Sequence, residues 1–277
     1  MLESLAYSGP MGGDEVFAMV VAMLLGMSLY GVRLYFLTEL HPMTASRRLR
    51  VAAMLVTPIL ALALGILVNA LAAADVRGDL RYVLLFTAIG VAWVEVLMLV
   101  APPLLGILSP KEAVERRAAP SIIVHAGASA ALAIAYLGGN LGDGPGWWVV
   151  LLSAALSSGA LLAIWALIEA VDRRSEAVTI DRDAATAIRL SGALIAASLV
   201  LGRAVAGTWQ SAANLLADFI TLGWPAFVLL VAEPALHAVF RPTPKAPRPS
   251  VLTAGILPAC AYIALAAWLV VRYGWWT

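Results

Sequence analysis

"PPLLGILSPKEAVERRAAPSIIVHAG", residues 102–127, places a short charged segment between two long apolar ones. Five of the seven residues from 111 to 117 are charged, beginning at Lys111 and ending at Arg117. A chain that crosses a bilayer keeps most of its charges in the water on either side, because a charge inside the hydrocarbon is costly. The stretch therefore predicts a helical hairpin with a charged turn at the membrane surface.

The composition of the whole chain agrees with a membrane protein. Of its 277 residues, 62% are hydrophobic and 13% are charged, whereas a soluble domain has roughly 25% charged and about 45–50% apolar residues. A spanning helix needs about 20 mostly apolar residues. Segments of this kind lie at 16–38, 51–74, 82–107, 120–140, 147–171, 185–207, 212–240 and 250–273. We therefore predict an all-α, polytopic membrane protein with about eight transmembrane helices in a single transmembrane domain over residues 1–277. The first segment is long and follows acidic residues, unlike a secretory signal, so we expect it to be retained.

Basic residues are concentrated in alternate loops, which predicts the orientation. Short loops rich in Lys and Arg stay in the cytoplasm. Four alternate loops hold three basic residues each: Arg47, Arg48, Arg50, Lys111, Arg116, Arg117, Arg173, Arg174, Arg182, Arg241, Lys245 and Arg248. We predict that these loops are cytoplasmic and that both termini lie outside the cytoplasm. Abundant Ala and a strong preference for Arg over Lys indicate a GC-rich bacterial genome, so we expect a multi-pass protein of the bacterial inner membrane.

The charged turns recur at a nearly fixed interval. They are marked by Pro42, Pro110, Ile180 and Pro244, which are 68, 70 and 64 residues apart. After each turn comes a helix rich in small residues, with Gly or Pro near one depth. A fixed period is evidence for internal repetition. We therefore predict four parallel helical-hairpin repeats, at about 14–74, 82–140, 147–207 and 212–273, related by an axis along the membrane normal.

Two stretches also resemble a known family. They are "SPKEAVERRAAPSIIVHAGASAALAIAYLGG" at 109–139 and "IDRDAATAIRLSGALIAASLVLG" at 180–202. Each has a polar turn, paired alanines and a helix that contains Gly, and through them residues 90–240 resemble the YjfL-like membrane proteins, also called domain-of-unknown-function family 350. Arg182 and Asp183 stand where that family commonly has Asn. The resemblance implies a small bacterial inner-membrane protein of unsettled biochemistry, associated with envelope stress.

Ionisable residues inside the predicted spans are candidate functional residues, because their burial is costly. Glu95 is the deepest carboxylate and lies near the middle of the third segment. It is either a proton or cation site, or a neutral group bonded to a neighbouring helix. No counterpart of Glu95 is evident in the other three hairpins, so no ring of carboxylates is expected.

Three further residues complete the candidate intramembrane polar site. Arg203 and Asp218 lie at similar depths in the sixth and seventh segments, whose connecting loop is short. We expect them to form a buried ion pair that fixes helix register. His125 enters the fourth segment from the cytoplasmic side, where it either makes a packing hydrogen bond or relays protons.

Four residues nearer the membrane surface are weaker candidates. Glu169 and Glu233 are 64 residues apart in equivalent positions, and we expect both to pair with loop arginines. His237 follows Glu233 by one helical turn, but no third ligand is visible, so no metal site is predicted. Arg33 is expected to extend its side chain to the membrane surface.

Several classes of function are excluded by what the sequence lacks. There is no HExxH, GxSxG or phosphate-binding loop, and three histidines and one cysteine are too few for a metal or haem cluster. We therefore expect no enzyme activity and no cofactor. The net charge of +1 and the absence of a basic stripe argue against nucleic-acid binding.

Two functions remain open. The first is transport, as a weakly selective pore or a proton-coupled carrier, because a carboxylate near the membrane midplane requires a reason. The second is a non-catalytic scaffold or assembly subunit, whose partners would be other membrane proteins or a second copy of the chain in addition to the lipid bilayer. A cavity lined by Glu95, His125 and the pair of Arg203 with Asp218 would favour transport.

Overall fold

The structure is a computed structural model that describes residues 11–40, 46–240 and 250–272. Every regular element in these ranges is helical. The helices are α1 Gly13–Thr38, α2 Arg47–Leu71, α3 Leu80–Leu104, α4 Pro110–Glu115, α5 Ala119–Gly138, α6 Trp147–Asp172, α7 Arg174–Thr179, α8 Ala184–Val205, α9 Ala212–Gly223, α10 Val228–Phe240 and α11 Leu257–Arg272.

Eight helical segments of this part of the chain are long and apolar enough to cross a membrane, which confirms the predicted all-α membrane fold. Six of them are single helices: α1, α2, α3, α5, α6 and α8. The seventh joins α9 to α10 through a short 3-10 turn at Trp224–Phe227, where Pro225 has no amide hydrogen to donate. The eighth begins with a π-helical turn at Leu252–Ile256 and continues as α11.

Side-chain caps set the start of several helices. Ser46 accepts a hydrogen bond from the Leu49 amide, and Asp183 accepts one from the Ala185 amide at 2.9 Å. Ser109 and Glu112 form a reciprocal capping box at the start of α4. The charged segment between the spanning helices α3 and α5 therefore contains a short helix of its own, α4.

Helices α5 and α8 form the centre of the bundle. In each, 78% of the most apolar window is buried, against 17% in α1. The two helices run parallel and approach closely at the middle of α5 and again near its C-terminal end. A methyl group on Gly127 would lie 2.3 Å from Ser191, and one on Gly138 would lie 2.3 Å from the Gly202 carbonyl oxygen. Small residues at these positions permit the close packing by which helices associate in lipid.

Replacing Gly138 with alanine is expected to lower the free energy of unfolding by about 1–3 kcal/mol, because the new methyl group would overlap the Gly202 backbone. The change is measured by thermal or denaturant unfolding in detergent. Gly159→Ala is the matched control: no heavy atom lies within 4 Å of its added methyl group. Equal stability of the two variants would contradict the close α5–α8 contact.

The second and third hairpins have the same turn architecture. In the second, α4 ends before Arg117, and in the third, α7 ends before Arg182; both arginines have φ near 55°. In both hairpins a single residue separates this arginine from the central helix, α5 or α8. These matching turns support repetition of the two middle hairpins. The four-unit repeat stays a prediction, since Pro42 and Pro244 lie outside the described residues.

The bundle has two chemically different ends. At one end, which we name the basic end, lie the C-terminal end of α1, the start of α2, the connections 105–118 and 173–183, the C-terminal end of α10 and residues 250–251. At the other, the acidic end, lie the start of α1 and the connections 72–79, 139–146 and 206–211. The structure itself does not assign either end to the cytoplasm, so the orientation remains a prediction.

Cysteine labelling tests this orientation. Val114 and Val178, which sit in the middle of two basic loops and would be natural labelling positions, are fully buried and therefore unsuitable. We choose Glu115→Cys and Glu176→Cys at the basic end and Gly144→Cys at the acidic end, all exposed. The background is Cys260→Ser, because Cys260 is itself exposed.

In intact cells, an impermeant maleimide is expected to label the cysteine at position 144 and to leave those at 115 and 176 unlabelled until the membrane is opened. The two glutamate positions leave every basic residue of the loops intact. Labelling of both basic-end sites from outside would reverse the assignment.

Candidate functional site

Polar residues gather in three places. Two buried charge clusters lie in the half of the bundle nearer the basic end, and an open cavity lies at the acidic end. We name the clusters after their carboxylates. The Glu95 cluster consists of Arg33, Thr57 and Glu95, and the Glu233 cluster consists of Arg174, Arg189, Glu233, His237 and Tyr262.

The Glu95 cluster joins three helices. The Arg33 guanidinium on α1 forms an ion pair with the Glu95 carboxylate on α3, and the Thr57 hydroxyl on α2 donates to Glu95 Oε1 at 2.5 Å. Glu95 and Thr57 are each 4% exposed. Arg33 therefore does not extend to the surface as the sequence suggested, because a carboxylate within reach offers a stronger partner than water at a distance.

His125 lies beside this cluster but does not join it. Its Nε2 is 2.7 Å from the Leu108 carbonyl oxygen, and its ring is close enough to Arg33 for their charges to interact. The carbonyl belongs to the turn before α4, so His125 ties that turn to α5. The sequence left open a packing hydrogen bond or a proton relay for His125, and the contact with Leu108 is a packing hydrogen bond.

The Glu233 cluster is built around one carboxylate that receives three donors. Arg189 Nε lies 3.0 Å from Glu233 Oε1, Arg174 Nη2 lies 3.3 Å from the same oxygen, and the Tyr262 hydroxyl donates to Oε2 at 2.9 Å. Arg174, Arg189 and Glu233 are all buried, with exposures of 1% or less. The prediction that Glu233 pairs with a loop arginine fits Arg174, which begins α7.

Asp172 supplies the second counter-charge for the two arginines of this cluster. Arg174 Nη2 also lies 2.8 Å from Asp172 Oδ2 and donates to the Glu233 backbone carbonyl at 2.9 Å. Its Nε and Nη1 are buried and have no hydrogen-bond partner among the described residues. Burial lowers the pKa of Arg174, while the charges of Glu233 and Asp172 oppose that change.

The π-helical turn before α11 belongs to this cluster. Its wider hydrogen-bond spacing leaves the Ala254 carbonyl available, and Arg189 Nη1 donates to it at 2.5 Å. Arg189 Nη2 lies 3.1 Å from His237 Nδ1. His237 is thus a hydrogen-bond partner of Arg189. In the described part of the chain, no three His, Cys, Asp or Glu side chains come together as a metal site.

Glu169 differs from its expected equivalent, Glu233. It accepts hydrogen bonds from the Ser175 hydroxyl and from the Ser175 amide at 3.0 Å, and so closes the turn between α6 and α7. The prediction that Glu169 pairs with a loop arginine is therefore wrong, because Ser175, near the start of α7, satisfies the Glu169 carboxylate instead. The better counterpart of Glu233 is Glu95, 138 residues earlier and paired with an arginine in the same way.

Arg203 and Asp218 do not form the buried pair that the sequence suggested. Arg203 is 7% exposed and its Nη1 donates to the Ala206 carbonyl at 3.3 Å, but Asp218 is exposed on α9. The two are close enough for their charges to interact. The reason for the difference is the rotation of α9, which packs against α8 but directs Asp218 to the face that lines an open cavity at the acidic end.

This cavity, which we name the vestibule, has a volume of about 310 Å³ and lies among α1, α3, α6, α8 and α9 at the acidic end. Four carboxylates line it: Glu15, Asp75, Asp143 and Asp218. No Lys, Arg or His is among the described residues of its wall. Arg77 and Arg203 instead line a smaller neighbouring cavity of about 220 Å³.

Helix α9 gives the vestibule a polar wall. Asn214 and Asp218 are one helical turn apart, and both line the vestibule together with Gln210, which accepts a hydrogen bond from Asn214 Nδ2 at 2.7 Å. The rim is formed where the 139–146 and 206–211 connections touch: Gly207 donates to the Leu141 carbonyl and Trp209 donates to the Asp143 carbonyl. Neither Glu95 nor His125 lines the vestibule or its neighbour.

The candidate site that the sequence predicted is thus divided. Glu95 and His125 lie in the packed basic half, whereas Arg203 and Asp218 lie at the acidic end. Arg174, Arg189 and Tyr262 were missed as members of an intramembrane cluster, although the rule that flags charges inside spans applies equally to Arg189. A comparison of the chain with family models, curated proteins and solved structures finds no match.

Proposed function

We propose that the protein is an integral membrane protein of the bacterial inner membrane that carries a small solute, with the basic end in the cytoplasm and the vestibule open to the outside. The observation that carries this proposal is the vestibule, a cavity of about 310 Å³ with one sign of charge along its wall. Ligand sites of small molecules occupy cavities of roughly 300–1,000 Å³. The proposal assigns no enzyme activity and no cofactor.

A carrier fits better than an open pore. The vestibule is confined to the acidic half of the bundle, and the Glu95 and Glu233 clusters occupy the other half with buried, mutually bonded side chains. A carrier alternates between two such closed ends around its substrate site. The resemblance to YjfL-like proteins and their association with envelope stress remains part of this proposal.

Flux across vesicles tests the proposed function. The purified protein is reconstituted into liposomes, and the entry of choline, sorbitol or gluconate is followed by light scattering after an osmotic step. We expect protein-dependent entry of one class of solute and its reduction in Asp218→Asn. Asp181→Asn, an exposed carboxylate at the basic end, is the matched control. A folded protein that admits none of the three contradicts transport.

The second candidate is a scaffold or assembly subunit that packs against other membrane proteins or against a second copy. One observation favours it: the deepest charges, those of Glu95 and Glu233, are used to hold helices together and do not line a cavity. Under this reading, the same vesicles show no flux, and the protein purifies from its native membrane as part of a larger complex.

A further inference from the structure

The residues that line the vestibule indicate the chemistry of its ligand, in addition to the size that the cavity volume sets. Two of its four carboxylates already have partners. Glu15 Oε2 accepts a hydrogen bond from the Tyr82 hydroxyl at 3.1 Å, and Asp218 interacts with the Arg203 charge. The side chains of Asp75 and Asp143 are exposed and make no hydrogen bond or ion pair within the described part of the chain. Two acceptor groups with a full negative charge are therefore available to a ligand.

A buried acceptor lies in the same wall. Asn140 lines the vestibule and is only 4% exposed. Its Nδ2 donates to the Tyr136 carbonyl at 3.3 Å, which fixes the orientation of the amide because two oxygens would repel each other there. Its Oδ1 then has no donor among the described residues. A buried polar atom without a partner costs free energy, so a ligand that donates a hydrogen bond here would gain by it.

The rest of the lining points to an organic ligand. Tyr82, Trp147 and Trp209 contribute aromatic rings to the wall, and aromatic faces attract organic cations. A metal ion would need several ligands at short distance, and no three suitable side chains come together among the described residues. The charged groups without a partner in this wall, Asp75 and Asp143, and its buried atom without a partner, Asn140 Oδ1, are all acceptors, so the complementary ligand is a cation that carries N–H donors.

We propose that the vestibule is a binding site for a small organic ammonium ion, held by Asp75 and Asp143 through its charge and by Asn140 Oδ1 through an N–H donor. This inference names a substrate class for the transport function proposed above, and rests on that function for its physiological meaning. Binding does not require transport; it requires the vestibule and a side-chain adjustment that brings the buried Asn140 Oδ1 to its surface.

Three probes with the same four-carbon chain distinguish binding through charge from binding through N–H donors. They are 1,4-diaminobutane, its permethylated analogue 1,4-bis(trimethylammonio)butane, which keeps the charge but has no N–H donor, and neutral 1,4-butanediol. Binding is measured in nanodiscs of zwitterionic lipid by the change in tryptophan fluorescence, to which Trp147 and Trp209 in the wall contribute. We expect saturable binding of the diamine, binding of the permethylated probe weaker by several-fold, and no saturable binding of the diol.

The variant Asp75→Asn with Asp143→Asn is expected to weaken diamine binding by about three- to tenfold, the range for two solvent-exposed charge pairs. Both side chains are exposed, so the fold should persist, and Asp181→Asn at the basic end should bind as the parent does. Failure of the folded parent to bind the diamine, equal binding of the diol, or unchanged binding by the double variant would overturn the site. Equal binding of the permethylated probe would overturn the role of the N–H donor.

Binding and flux separate the two proposals. The nanodisc measurement involves no gradient, so it reports the site whether or not the protein transports. Diamine binding without flux in liposomes would overturn the transport function and leave the site. Flux of another solute without diamine binding would overturn the ammonium site and leave transport.

Discussion

Glu233→Ala is expected to lower the free energy of unfolding by about 3–5 kcal/mol, a larger effect than that expected for Gly138→Ala. The reason is electrostatic. Arg174 and Arg189 are 0% and 1% exposed, and removal of Glu233 leaves both guanidinium groups in a low-dielectric setting without their shared counter-ion. The measurement is reversible unfolding in mixed detergent micelles, followed by tryptophan fluorescence.

A matched control uses a carboxylate of the same loop region. Glu176 forms an exposed ion pair with Arg173 at 3.4 Å, so Glu176→Ala should change stability by less than about 1 kcal/mol. A second variant keeps the experiment informative if the first fails to fold: Arg189→Met combined with Glu233→Met removes a matched pair of charges and should recover part of the loss. If Glu233→Ala proves no more harmful than Glu176→Ala, the cluster does not hold the fold.

The Glu95 cluster is expected to behave similarly but less severely. Glu95→Ala removes the partner of Arg33, whose side chain is 18% exposed and therefore less completely buried than the arginines of the Glu233 cluster. We expect a loss of roughly 2–4 kcal/mol, toward the lower end of the range for broken buried pairs. Arg33→Met and Glu95→Met are compared singly and together, and a double-mutant cycle gives the coupling free energy between the two residues.

The same double variant decides whether Glu95 takes part in transport. If the pair only fastens α1 to α3, the folded double variant should retain the flux of the parent in liposomes. If Glu95 changes its protonation during the cycle, flux should disappear even though folding is restored. Additive effects of the two single substitutions would show that the contact between Arg33 and Glu95 contributes nothing.

The spanning helices were predictable because their signal is local. Apolar length and the charges between segments decide where a helix can cross, and the predicted boundaries agree with the structure to within a few residues for α2, α5, α6 and α8. The partners of the buried charges were not predictable. Depth along a helix follows from sequence, but which face of α1 meets which face of α3 depends on packing among distant segments, so Arg33 appeared to be a surface group.

Arg174 and the vestibule show two further limits. Arg174 lies in a loop by hydropathy, and only the fold of α7 beneath the bundle buries it. The vestibule has no continuous sequence signal, because its wall is assembled from the start of α1, three connections and one face of α9. Asp75 and Asp143 look like ordinary loop acids until those segments are brought together.

The close contact between α5 and α8 restricts how the protein can move. Because the two helices touch at the middle of α5, at Gly127 with Ser191, and near its C-terminal end, at Gly138 with Gly202, they cannot move apart without losing both contacts. The two helices therefore move as one rigid unit, and access to the vestibule has to change through the other elements of its wall. We expect helix α9 to be the element that moves, since it carries the polar wall and is joined to α10 through a turn that contains Pro225. Solute exchange at the acidic end would then involve a rotation of α9 relative to the fixed pair of α5 and α8.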